Sequence, residues 1–196
     1  MARAFERIVN HDDLIFVSEV DPAECAILIH AFDELIDLLT LDTQVDETSR
    51  GDDPIFDQLG LSEIFDQTAG AECAEPKEPM SARLFPPGYV GDTGQAHDFR
   101  RFTEPELRKQ KIDNARLINR TLAAAAGADP PQIVLGVDEV TPWLRSINDL
   151  RLTIAVQVGI GEPDELDRLA NPAIQTVREL YDFLTWWQGS LLEVLS

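Results

Sequence analysis

Only two cysteines, Cys25 and Cys73, and three histidines, His11, His30 and His97, occur in 196 residues. So small a supply excludes a disulfide framework, and the histidines make none of the His/His or His/Cys spacings that zinc ligation favours. Basic residues are scarce as well: 16 Lys and Arg stand against 36 Asp and Glu, a formal net charge of −20. Such a surface repels nucleic acid overall, because affinity for a phosphate backbone rests on many Lys/Arg contacts that release counterions. A protein partner is the expected target, with no direct nucleic-acid contact. The longest apolar run near the middle, residues 152–160, is interrupted by Thr153, Gln157 and Gly159. It falls far short of the roughly 20 residues that a bilayer span requires. The first ten residues alternate charge and apolar character, with neither the apolar core nor the cleavage site of a secretory signal, so a cytoplasmic location is expected.

Catalytic signatures are missing too. No Gly-x-Ser-x-Gly occurs, and Gly159-Ile160-Gly161 lacks the third glycine and the lysine of a phosphate loop, so it reads as a helix terminator. Asp12-Asp13 and Asp52-Asp53 lack the alternating ligands and the glycine of a calcium loop. The expectation is a non-enzymatic protein with no cofactor and no metal.

What is present is a globular composition, 44% hydrophobic and 27% charged, on a chain long enough for one sizeable core. A single domain over 1–196 is expected, carrying a mobile acidic insertion around 42–99. Pro54, Gly60, Gly70, Pro76, Pro79 and Pro86 punctuate that stretch, and short helical turns are predicted at 54–59 and 62–67. The predicted fold class is α+β, mainly α: a bundle of about four helices with a small antiparallel N-terminal sheet of two or three short strands.

Residues 4–9 and 14–20 are rich in β-branched and aromatic side chains and flank Asn10-His11-Asp12-Asp13, which predicts a hairpin. Gln132 to Leu135 is a candidate third strand. Asp21 followed by Pro22 and Glu24 is a capping-box arrangement, and the helix it opens runs to about Leu41 with Cys25, Leu28, Phe32, Leu35 and Leu39 inward. Thr103-Glu104-Pro105-Glu106 predicts a second start, for a helix to about Ala126 whose apolar stripe is Leu107, Ala115, Ile118 and Leu122. Asp138 or Thr141-Pro142 starts a third, with Trp143, Ile147, Leu150, Ile154 and Val158 inward. Asn171-Pro172 starts the last. Phe183, Trp186 and Leu192 fall off its main stripe, so more than half its circumference is apolar. That predicts either burial at the bundle centre or a homodimer through the 173–195 helix.

Seven of the 16 basic residues fall between Arg100 and Arg120: Arg100, Arg101, Arg108, Lys109, Lys111, Arg116 and Arg120, against three acids, for a net +4. This helix admits two readings. It is a solvated face with charges placed as the helix dipole prefers, or a steering patch for an acidic partner, with Arg100, Arg101, Arg108, Lys109, Arg116 and Arg120 as the contact residues. The cysteines admit two readings as well. Cys25, near the positive end of its helix, gains reactivity from the dipole and loses it by burial, while Cys73 stands among carboxylates that disfavour thiolate. They are the redox candidates, as two free thiols or as one disulfide. Asn148, Asp149 and Arg151, on an otherwise apolar helix, read as a buried polar network or as a docking surface.

The opening hairpin and helix, Phe102-Thr103-Glu104-Pro105-Glu106-Leu107, Trp143 to Leu152, and Tyr181-Asp182-Phe183-Leu184-Thr185-Trp186 together resemble an actinobacterial domain-of-unknown-function family that includes the AosR-type oxidative-stress regulators. The resemblance spans nearly the whole chain outside residues 42–80. It implies a cytoplasmic, non-enzymatic protein regulating transcription through an alternative sigma factor or RNA polymerase. The neighbourhood of relatives' genes to that of the proteolytic adaptor ClpS implies an alternative, an accessory role in regulated proteolysis; a structural or interaction domain of unknown role is the bland third reading. No family redox-cysteine motif maps onto Cys25 and Cys73.

Overall fold

The computed structural model describes residues 2–10, 13–41, 83–85, 93–161 and 171–196, with backbone alone at 10, 41 and 93–102. Along these residues run β1, Glu6–Asn10; β2, Asp13–Glu19; α1, Pro22–Leu41; α2, Thr93–Ala126; β3, Gln132–Gly136; α3, Val137–Val158; and α4, Pro172–Glu193. The chain is α+β and mainly α, as its periodicities predict. Most of the insertion around 42–99, including the turns predicted at 54–59 and 62–67, lies outside the described residues, and its last seven positions already belong to α2.

Helix starts are fixed by side chains that satisfy the orphan amides of a first turn. Asp21 accepts from the Ala23 amide at 2.8 Å, and Glu24 accepts in return from the Asp21 amide at 3.1 Å, completing the capping box of α1. Asn171 accepts from the Ala173 amide at 3.0 Å, with Pro172 in the first position of α4. At the head of α3, Glu139 accepts from the Gly136 amide at 2.9 Å. Gly159, at φ 73°, closes that helix in the left-handed conformation a side chain would disfavour.

The three strands form one antiparallel sheet in the order β1-β2-β3. Ile8 pairs with Ile15, Phe16 with Leu135, and Val17 with Val134. Because side chains alternate along a strand, Phe16 and Ser18 share the inner face with Ile133 and Leu135, all buried. The inner face meets α3, whose Trp143 and Ile147 are fully buried. Phe5, just before β1, stacks on Trp187 of α4 at 5.4 Å and meets Trp143 edge-on at 6.1 Å, so both chain ends close on one aromatic cluster.

Two features of the helices differ from what the sequence predicts. First, α4 is not the central helix: α3 occupies that place, touching α1, α2, α4, β2 and β3, while α4 packs chiefly on α3. Leu184, Trp187 and Leu191 are buried, but Trp186 and Leu192 are 47% and 51% exposed. Central burial would desolvate Glu179, Asp182 and Glu193, which share the outer side of α4 with Trp186. Second, α2 begins at Thr93, ten residues before Thr103, and Pro105 lies inside it. A helix of 34 residues is about 50 Å long at 1.5 Å per residue.

Candidate functional site

On the inward seam of α2 the expected Ala115, Ile118 and Leu122 are buried, whereas Leu107 is not and two cations stand in line with them. Arg108, Ala115 and Leu122 are seven apart, as are Lys111, Ile118 and Ala125, and residues seven apart share a helix face. Both cations turn inward. Arg108, expected on the partner-binding surface, is 5% exposed and donates to the Leu39 carbonyl at 3.0 Å and to the Glu104 carboxylate. Its guanidinium lies 4.6 Å from the centre of the Phe85 ring. Lys111 meets Asp149 of α3 at 2.6 Å, and its ammonium lies 5.7 Å from the same ring. Burial pushes the Asp149 carboxyl above its ordinary range, and the hydrogen bond and charge of Lys111 only partly offset this. Leu107, expected inward, is 45% exposed. Arg108 is therefore a structural clamp that anchors the C-terminal end of α1, where unsatisfied carbonyls attract a cation.

Of the remaining expected contacts, Arg100 and Arg101 lie on the backbone of α2, with side chains outside the described set. Lys109, Arg116 and Arg120 are exposed on one stripe, spaced seven and four apart, spanning about 16 Å along the axis. Glu106 and Asp113 share that outer side, and Asp113 sits 3.8 Å from Arg116, both 58% exposed. A pair so open to water contributes little. The net +4 of the sequence segment overstates the displayed charge by one, since Lys111 is engaged by Asp149 from outside the segment, whereas the Arg108–Glu104 pair is already neutral within that sum.

On α3, Asp149 and Arg151 enter structural networks. Arg151 donates to Thr185 at 3.0 Å, to Gln188 and to the Tyr181 hydroxyl at 3.4 Å, joining α3 to α4. Gln188 in turn donates to the Leu144 carbonyl at 3.0 Å. Asn148 is exposed and lies outside these networks. The network reading holds for buried Asp149 and for half-buried Arg151, but not for Asn148.

Cys25 is a free thiol, fully buried on the inner side of α1. Burial raises its pKa, and the neighbouring Glu24 and Asp21 carboxylates raise it further. Cys73 lies outside the described residues. Among the described residues, no three or more His, Cys, Asp or Glu side chains converge as metal ligands, and no helix is long and apolar enough to cross a membrane.

Sequence comparison supplies the wider setting. An oxidative stress regulator AosR of Mycobacterium tuberculosis is 27% identical over 100% of this chain and 88% of its own length. A putative oxidative stress regulator AosR of Mycobacterium leprae is 25% identical over 98% of this chain and 88% of its own. No solved structure matches. The family profile described as domain of unknown function DUF2017 matches residues 2–195, and the chain belongs to that family.

Proposed function

We propose that this protein is a non-enzymatic regulator of the oxidative-stress response that acts on transcription by binding a sigma factor or RNA polymerase. The observation that carries the reading is the end-to-end similarity to proteins named oxidative stress regulators, at 25–27% identity with no large unmatched portion of this chain. Action by contact agrees with the fate of the chemistry-bearing side chains. Cys25 is buried, Asp149 and Lys111 engage each other, and Arg108 is consumed in packing. The exposed stripe of Lys109, Arg116 and Arg120 is the contact surface in this reading, a smaller patch than the sequence segment suggests.

The test is a chromosomal deletion followed by transcript profiling with and without peroxide, together with affinity purification of the tagged protein. Expected outcomes are an altered peroxide response and co-purification of RNA polymerase or a sigma factor. Charge reversal of Lys109, Arg116 and Arg120 to Glu abolishes that co-purification while leaving the far-ultraviolet circular dichroism unchanged. An unaltered peroxide response in the deletion strain overturns the proposal.

A further inference from the structure

The sheet has a second side. Alternation places Glu6 and Ile8 of β1, Asp13, Ile15, Val17 and Glu19 of β2, and Val134 of β3 on the face away from the core. The register joins Ile8 to Ile15 and Val17 to Val134, so four β-branched side chains form one continuous patch. Ile8 and Val134 are 40% and 42% exposed, and Ile15 and Val17 are half-buried. A solvated face of an antiparallel sheet is ordinarily polar. Here it is apolar at its centre.

β1 deepens the anomaly. Glu6, Arg7, Ile8 and Val9 are all exposed, so the strand contributes none of these side chains to the core. The rim of the patch is acidic: Glu6 and Asp13 are exposed carboxylates, and Glu19 is paired with Arg3 at 3.0 Å.

We propose that this face docks a basic segment of a partner protein, with apolar side chains seated on Ile8, Ile15, Val17 and Val134 and Lys or Arg meeting Glu6 and Asp13. Charge complementarity selects this occupant. A second copy would bring another −20 and a second acidic rim against the first, and an anionic membrane surface would be repelled. The site is independent of the α2 stripe, which carries the opposite charge.

The test uses the full chain, isotope-labelled at Ile and Val methyl groups and titrated with the synthetic peptide Lys-Val-Lys-Val-Lys-Val-Lys. Its twin with Glu in place of Lys serves as the charge control. The basic peptide is expected to shift the methyl signals of Ile8, Ile15, Val17 and Val134, and the acidic twin is not. Glu6→Lys combined with Asp13→Lys weakens the basic peptide about tenfold, whereas Lys109→Glu with Arg116→Glu and Arg120→Glu does not weaken it. Failure of the stripe variants in the purification described above therefore leaves this inference intact, and the reverse also holds. Stationary patch methyls, equal binding of both peptides, or a dimeric mass by light scattering that Val134→Lys returns to monomer would each overturn it.

Discussion

The guanidinium of Arg108 on α2 donates to the main-chain carbonyl of Leu39 on α1 at 3.0 Å, across 69 residues of sequence. The same group reaches Glu104 and covers the Phe85 ring, so one side chain ties together two helices and the buried Phe85. Arg108→Ala is expected to cost about 3 kcal/mol, since it strands a half-buried carboxylate and a helix-end carbonyl together. Arg108→Lys does not restore the loss, because a point charge cannot reproduce the fork that serves both acceptors. Arg120→Ala, on the exposed stripe, stays within about 0.5 kcal/mol. Urea denaturation of the three variants checks the order.

This clamp also marks where sequence reading succeeds and fails. Asp21-Pro22 and Asn171-Pro172 announce α1 and α4 because a cap and a proline act locally, within one turn. The strand at Gln132 is legible for the same reason, lying between the proline-rich close of α2 and the start of α3. The start of α2 is not, because Thr103-Glu104-Pro105-Glu106 has every feature of a helix start and yet sits inside a longer helix. There Glu104 turns to Arg108 rather than to a cap. Arg108 carries a charge that predicts the surface, while its seven-residue spacing to Ala115 and Leu122 places it on the seam, as the spacing of Lys111 to Ile118 and Ala125 places that lysine. Periodicity carried the signal. The acceptors that make burial tolerable, Leu39 and Asp149, lie 69 and 38 residues away in sequence, beyond any local pattern.

Stability is expected to rise on mild acidification. Burial raises the Asp149, Asp33 and Glu34 carboxyls above their ordinary values; for Asp33 and Glu34 neighbouring carboxylates add to this. In the window from the ordinary carboxylate range up to these raised values, the native state holds more protons than the unfolded chain. Stability therefore falls as pH rises through the window and recovers as pH falls. Relief of repulsion within a chain of net −20 acts in the same direction. Thermal melts are expected to give a higher midpoint near about pH 5 than near about pH 7.5, with a shallower dependence in Asp149→Asn, which removes one titrating group. A midpoint that falls steadily from neutral pH downward would contradict this account.

The Trp187 indole donates to the Ser18 hydroxyl at 3.3 Å, and that hydroxyl donates to the Arg3 carbonyl at 2.6 Å. Ser190 completes the arrangement by accepting from the Phe5 amide at 3.2 Å. Ser18→Ala removes the acceptor of a fully buried indole, so a loss of about 1–3 kcal/mol is expected. Because Phe5 stacks on the same indole, near-ultraviolet circular dichroism and tryptophan emission should change with it. Unchanged stability in Ser18→Ala would show that the contact is incidental.

Cys25 should be chemically silent in the folded protein. The thiolate is the species that reacts with alkylating agents and peroxide, and at Cys25 both full burial and the Glu24 and Asp21 carboxylates disfavour it. Its amide is fixed to the Asp21 carbonyl at 2.9 Å inside the capped first turn of α1, so exposure requires that turn to open. Iodoacetamide at about pH 8 should leave the Cys25 peptide unmodified in native buffer and label it fully in denaturant, with peptide-resolved mass spectrometry separating it from Cys73. Asp21→Ala, which removes the cap at a cost of about 1 kcal/mol, should accelerate native labelling of Cys25 by lowering the free energy of opening. Labelling at the rate of a free thiol in the native protein would mean that the first turns of α1 are open in solution. Oxidant sensing through Cys25 would then need no prior rearrangement.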